Sequence, residues 1–181
     1  MTTSTKLNSA TIINIRKNLD TTITKYWKII RAENVLSKKA ISKGMYSGMD
    51  LKALYNSIMQ MSEKRIIIKA MLMYLNLGIT TFEYDKFKKT NNYSIFAACE
   101  AKEAIAQLKM VATLNPSTKA KKGLKALPKR ETFSSAKIAQ LIHDHQLLAN
   151  KYDSMMAKFN DETSIEIDEK LSKDFKSYLI A

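Results

Sequence analysis

The sequence predicts a mainly α-helical protein: a bundle of about four long helices, with a small β-hairpin between the second and third and a short helix at the C-terminus. Three observations carry that expectation. Apolar residues recur at steps of three and four over several long stretches, the period of one helix face. Punctuating residues are scarce, with four Gly and two Pro in 181 residues, fewer than all-β or disordered chains use. The hydrophobic fraction of 45% is that of an ordinary globular domain. A chain of this length can bury about 70% of the surface its unfolded form exposes, enough to fold alone.

The first helix is expected over 9–34, where Ile12, Ile15, Leu19, Ile23, Tyr26 and Ile30 share one face. Asn8 or Ser9 supplies its N-cap. A loop with Gly44 and Gly48 leads to Asp50, the cap of a second helix over 51–77 that stops at Gly78. Its stripe of Leu51, Leu54, Ile58, Met61, Ile68, Leu72 and Leu75 is interrupted by Arg65 and widened by Ile66 and Ile67. A helix apolar on several sides is covered on several sides, which makes this the central helix.

Residues 79–93 change character. Ile79-Thr-Thr-Phe-Glu-Tyr is β-branched and aromatic, and Thr90-Asn91-Asn92 reads as a turn, so a hairpin is expected. Ser94 should then cap a third helix over 95–114, whose narrow stripe of Ala98, Ala101, Ile105 and Leu108 permits close packing. The stretch 115–132 reads as a basic linker bracketed by Pro116 and Pro128. A fourth helix over 134–159 is lined by Ile138, Leu141, His145, Leu148, Tyr152, Met155 and Phe159. An acidic run follows at 161–169, and Leu171, Phe175, Tyr178 and Leu179 suggest a final short helix. The chain thus divides into a helical body (1–114), the linker, and C-terminal helices with an acidic segment (133–181).

Thirty basic and 17 acidic side chains give a net charge of +13, unevenly placed. Residues 1–130 carry 24 basic and 8 acidic side chains, whereas 131–181 carry 6 and 9. Such an excess suits nucleic acid, another polyanion or an acidic protein partner. A compositional origin competes with it, because 26 of the 30 cations are Lys and the chain is also rich in Ile and Asn. Codons for all three are AT-rich, so a low-GC genome, a phage for example, would enrich lysine without selection for binding.

Familiar catalytic patterns are missing from the sequence: no phosphate-binding glycine loop, no Gly-x-Ser-x-Gly, no His-Glu-x-x-His and no paired cysteines. His143 and His145 point about 200° apart on a helix and do not share a metal ion. Cys99 has no neighbouring histidine and reads as a small core residue, and Glu100 and Glu103 as a solvated helix face. A lone cysteine, a polar N-terminus and no apolar run of about 20 residues predict a soluble cytoplasmic protein without a membrane span.

The sharpest feature is the cationic run of Lys119, Lys121, Lys122, Lys125, Lys129 and Arg130, with Lys86, Lys88 and Lys89 as a second patch beside Tyr84 and Phe87. Lysines neutralise phosphates without reading sequence, and four arginines in all are few for base-specific recognition. The expected function is therefore a non-enzymatic, cofactor-free binding protein whose basic surface engages a polyanion, nucleic acid without strong sequence preference foremost. The alternative is a structural or assembly protein, such as a phage virion or accessory component, acting through protein partners or copies of itself.

Overall fold

The first helix, α1 (Ser9–Glu33), begins where Asn8 accepts a hydrogen bond from the Thr11 amide at 2.8 Å, satisfying one of the orphan donors of the first turn. The computed structural model describes residues 6–35, 43, 47–113, 132–166 and 169. Asp50 likewise caps α2 (Leu51–Asn76) through the Lys52 amide at 2.9 Å. The far end of α2 closes as a Schellman turn: the Ile79 amide donates to the Tyr74 carbonyl at 2.9 Å and the Gly78 amide to that of Leu75 at 3.0 Å. Gly78 takes φ +73°, a conformation a side chain would strain.

The expected hairpin is a correction. No strand occurs among the described residues, and 79–93 instead holds a single helical turn, α3 (Tyr84–Phe87), and the start of α4 (Asn91–Lys109). Thr90, read as part of a turn, is the N-cap of α4, its side chain accepting from the Tyr93 amide at 3.3 Å. The same side-chain oxygens serve turns and helix caps, so the signal was real and its assignment was not. Ser94, expected as the cap, lies buried inside α4. The aromatics that suggested strands are gathered into a core around Phe87, whose ring meets those of Tyr74, Phe82, Tyr93 and Phe96 at 5.7–6.3 Å. Strand propensity yields to such packing. The last helix, α5 (Ser135–Glu162), starts at Ser134, which caps the Lys137 amide at 3.1 Å.

The basic stretch and the expected final helix lie outside the described residues, save for Glu169, whose backbone is helical.

The long helices run up, down, up and down. The end of α1 meets the start of α2, where Glu33 accepts from the Ser47 amide at 3.1 Å. Arg31 near the end of α1 bonds Gln107 near the end of α4, so those two helices are parallel. Lys102 and Tyr93 of α4 meet Asp153 and Tyr152 of α5. The principal core joins Ile23, Trp27 and Ile30 of α1 to Leu51, Tyr55 and Ile58 of α2, Leu108 of α4 and Ile138 of α5. Ala97, Ala98, Ala101 and Ala104 of α4 are all buried, and their small side chains let neighbouring helices approach. Burying each larger side chain contributes about 1.5–3 kcal/mol.

Candidate polyanion-binding end of the bundle

This topology sends two of the three connections between long helices to the same end. Residues 35–50 leave α1 and enter α2 there, and residues 110–134 join α4 to α5 there. Together these two connections hold nine basic and two acidic residues in the sequence, whereas the connection at the opposite end, 77–90, holds three and two.

One side chain fastens this end. Asn34, 3% exposed at the C-cap of α1, donates through Nδ2 to the carbonyl oxygens of Ala112 at 2.8 Å and Phe133 at 2.9 Å. Its Oδ1 accepts from the Phe133 amide at 2.7 Å. Val111 and Phe133, on the two sides of the cationic stretch, are both buried in the core. One asparagine therefore holds together the two described stems that flank residues 114–131.

Described cations lie around these stems. Lys28 of α1, Lys109 of α4 and Lys137 of α5 are exposed, and no ion pair among the described residues neutralises any of them. An open groove of about 440 Å³ runs along α1 between Thr21, Thr24, Lys25 and Lys28, with Asp20 at its edge. The periodicity of α1 held a signal for this face, since Lys17, Thr21, Thr24 and Lys28 recur opposite the apolar stripe.

Of the sequence-predicted cations, Lys119, Lys121, Lys122, Lys125, Lys129 and Arg130 lie outside the described residues. Lys86, Lys88 and Lys89 sit on and just after α3 at the opposite end, separate from the stems. Lys86 pairs with Glu83 at 2.7 Å, Lys88 lies over the Tyr84 ring at 4.3 Å, and Lys89 is exposed. Glu83 and Asp85 are their acidic neighbours in sequence, and Lys86 is the one of the three with an ion pair among the described residues.

Two polar clusters escaped the reading of the sequence. Arg65 and Glu100, 7% and 8% exposed, form a buried pair between α2 and α4. Arg65 also reaches Glu103 at 2.6 Å and Asp20 at 3.2 Å, and Lys69 bonds Glu100 at 2.9 Å. Burial works against the guanidinium charge, but the surrounding carboxylates outweigh it and hold the Arg65 pKa above its ordinary value. Glu100 is thus a structural counter-ion rather than part of a solvated face. Its place was hidden because only the tertiary fold brings Arg65 opposite it.

The second cluster is the hydrogen bond of 2.7 Å between Tyr55 Oη and His145 Nε2, edged by Trp27 and Phe133. Burial, with a smaller push from Asp144, raises the Tyr55 pKa to about 12. Burial lowers that of His145. His143 is exposed, and so is Cys99, against its expected place in the core. Among the described residues no three His, Cys, Asp or Glu side chains converge in a way that would hold a metal ion, and no helix is long and apolar enough to cross a membrane.

Compared with known proteins, the chain matches no family model, no curated protein and no solved structure. Geometry alone carries the functional reading.

Proposed function

We propose that this chain is a non-enzymatic helical binding protein whose cationic end engages a polyanion, with nucleic acid bound through its phosphates and little sequence preference. The observation that carries the reading is the Asn34 clamp, which plants both stems of the lysine-rich stretch at the end where the other basic connection also lies. A run of point charges between anchored flanks can follow a phosphate backbone, releasing counterions at each contact. Exposed Lys28, Lys109 and Lys137, toward the helix ends next to the stems, add positive charge there. The buried Arg65 cluster belongs to the framework, since its charges face one another. The reading places the protein in the cytoplasm.

Fluorescence anisotropy with labelled random duplex and single-stranded DNA, at about 50 and 200 mM salt, tests this proposal. Binding should fall steeply with salt, and the Lys121→Ala, Lys122→Ala, Lys125→Ala, Lys129→Ala variant should bind more weakly with a shallower salt slope. The Lys86→Ala, Lys88→Ala, Lys89→Ala variant should bind almost as the parent does. No binding at the lower salt overturns the proposal. The exposed apolar flank of α5, with Leu148, Met155 and Phe159, supports a second reading as an assembly protein. Association through that flank would be insensitive to salt.

A further inference from the structure

The apolar stripe of α5 is covered along its first half only. Ile138 and Leu141 are buried in the principal core, while Leu148, Met155 and Phe159 stand 39%, 44% and 44% exposed. Ala149, on the face turned to the bundle, is fully buried, and Tyr152 meets the Tyr93 ring of α4 at 5.9 Å. Beside that packed face runs an exposed row of Asp144, Leu148, Lys151, Met155 and Lys158. Its steps of four, three, four and three are the seven-residue repeat of a helix seam. Farther on, every residue from 157 to 162 is exposed, so the end of α5 stands clear of the bundle.

The order of charges in the row points to what covers it. Among the described residues no ion pair neutralises Asp144, whose carboxylate accepts from the neutral Gln140 amide at 2.7 Å. Lys158 reaches Glu162 at 3.7 Å, and both side chains are exposed, so that contact is easily exchanged. Turned end for end about a point between Lys151 and Tyr152, the row fits itself. Leu148 then faces Met155, and Asp144 faces Lys158 with Phe159 beside it. A two-fold axis makes each of these contacts twice. Lys151 falls next to the axis, where its ammonium lies 6.0 Å from the centre of the Tyr152 ring and its long stem can carry the charge outward. Run parallel, the same rows would set Asp144 on Asp144, Lys151 on Lys151 and Lys158 on Lys158. Like charges would then meet throughout, which works against that arrangement.

We propose that this flank is the contact surface of a homodimer, in which α5 packs antiparallel on α5 of a second copy about a two-fold axis between Lys151 and Tyr152. Leu148 of each copy packs against Met155 of the other, and Asp144 meets Lys158. The apolar pairs supply the attraction, and the charges fix orientation and register. The axis lies about 25 Å along α5 from its start at Ser135, so the two Asn34 clamps stand at opposite ends of the dimer. The inference is independent of polyanion binding.

Sedimentation equilibrium of the full chain at micromolar concentrations tests it. The unsubstituted protein should be dimeric, and Leu148→Asp with Met155→Asp should be monomeric with an unchanged far-ultraviolet helix signal. Asp144→Lys alone, or Lys158→Asp alone, should weaken association at least about tenfold, since each converts two attractive contacts into repulsive ones. The two together should restore it. A monomeric parent, a dimer indifferent to Leu148→Asp with Met155→Asp, or a charge exchange that fails to restore association would each overturn the proposal. Cysteine cross-linking in a Cys99→Ser background reads the orientation. Lys151→Cys, beside the axis, should give disulfide-linked dimers under mild oxidation. Asp144→Cys should not, because its two copies lie about 22 Å apart along an antiparallel pair. Cross-linking through both positions would show a parallel pair and overturn the arrangement.

Discussion

Asn34 and Phe133, 99 positions apart, exchange a reciprocal pair of hydrogen bonds: the asparagine amide donates to the Phe133 carbonyl at 2.9 Å and its oxygen accepts from the Phe133 amide at 2.7 Å. The side chain thereby mimics a strand partner for one residue, and it uses its second amide hydrogen on Ala112. The two Phe133 bonds are buried and the Ala112 bond partly so, and Asn34→Ala leaves a donor and two acceptors unmatched at about 1–3 kcal/mol for each group that water does not reach. Urea denaturation should show a loss of about 2–4 kcal/mol. A loss under about 0.5 kcal/mol, the range of ordinary surface substitutions, would mean that the clamp does not close in solution.

The Arg65 cluster behaves differently. Removing one partner of a buried ion pair leaves the other under-compensated, here with only the more exposed Glu103 and Asp20 for Arg65, so Glu100→Ala should cost up to about 3–5 kcal/mol. Replacing both, as Arg65→Met with Glu100→Met, should cost less than the sum of the single changes, because an apolar pair needs no charge compensation. A double-mutant cycle on chemical denaturation measures the difference. Strict additivity would show that the two side chains do not interact.

Acid should weaken the fold partly through His145. Its folded pKa lies below the ordinary 6.5, because burial beside Tyr55 outweighs the attraction of Asp144. Above pH 6.5 the imidazole is neutral in both states and its titration contributes nothing. As pH falls through 6.5 toward the folded value, the unfolded chain takes up the proton first and stability is lost, by at most about 1.4 kcal/mol per pH unit. His145→Asn should therefore show a smaller drop in unfolding free energy between about pH 7.5 and 5.5 than the parent does. Equal drops would place the imidazole in contact with solvent.

Phe87 is the anchor of the second core, fully buried on a helix of four residues. Phe87→Ala should destabilise the protein by about 3–5 kcal/mol. Near-ultraviolet circular dichroism should lose the signal of the aromatic group around it, while the far-ultraviolet helix signal persists at temperatures below the transition. A loss under about 1 kcal/mol would show that α3 packs loosely on the bundle.

How far the sequence could be read follows from which signals are local. Helix starts at Asn8, Asp50 and Ser134 were legible, because a cap is written in a few adjacent residues. Apolar periodicity gave the long helices for the same reason. The stretch around Phe87 misled, since β-branched and aromatic residues declare a preference that a tertiary aromatic cluster overrides. Arg65 appeared only as a fault in a stripe and Glu100 as a surface acid. Their pairing depends on two helices 35 positions apart in sequence, which no local pattern records. Asn34 carries no motif at all, and its role exists only once three segments converge.

The clamp at Asn34 also decouples what it holds from what holds it. The bonds from Asn34 to Ala112 and Phe133 tie the end of α4 to the approach to α5, so this junction does not rest on the covalent connection alone. Doubling the length of such a loop raises its closure cost by only about 0.6 kcal/mol. Changes in the length, charge or content of 114–131, by evolution or by design, should therefore leave the Asn34 junction in place.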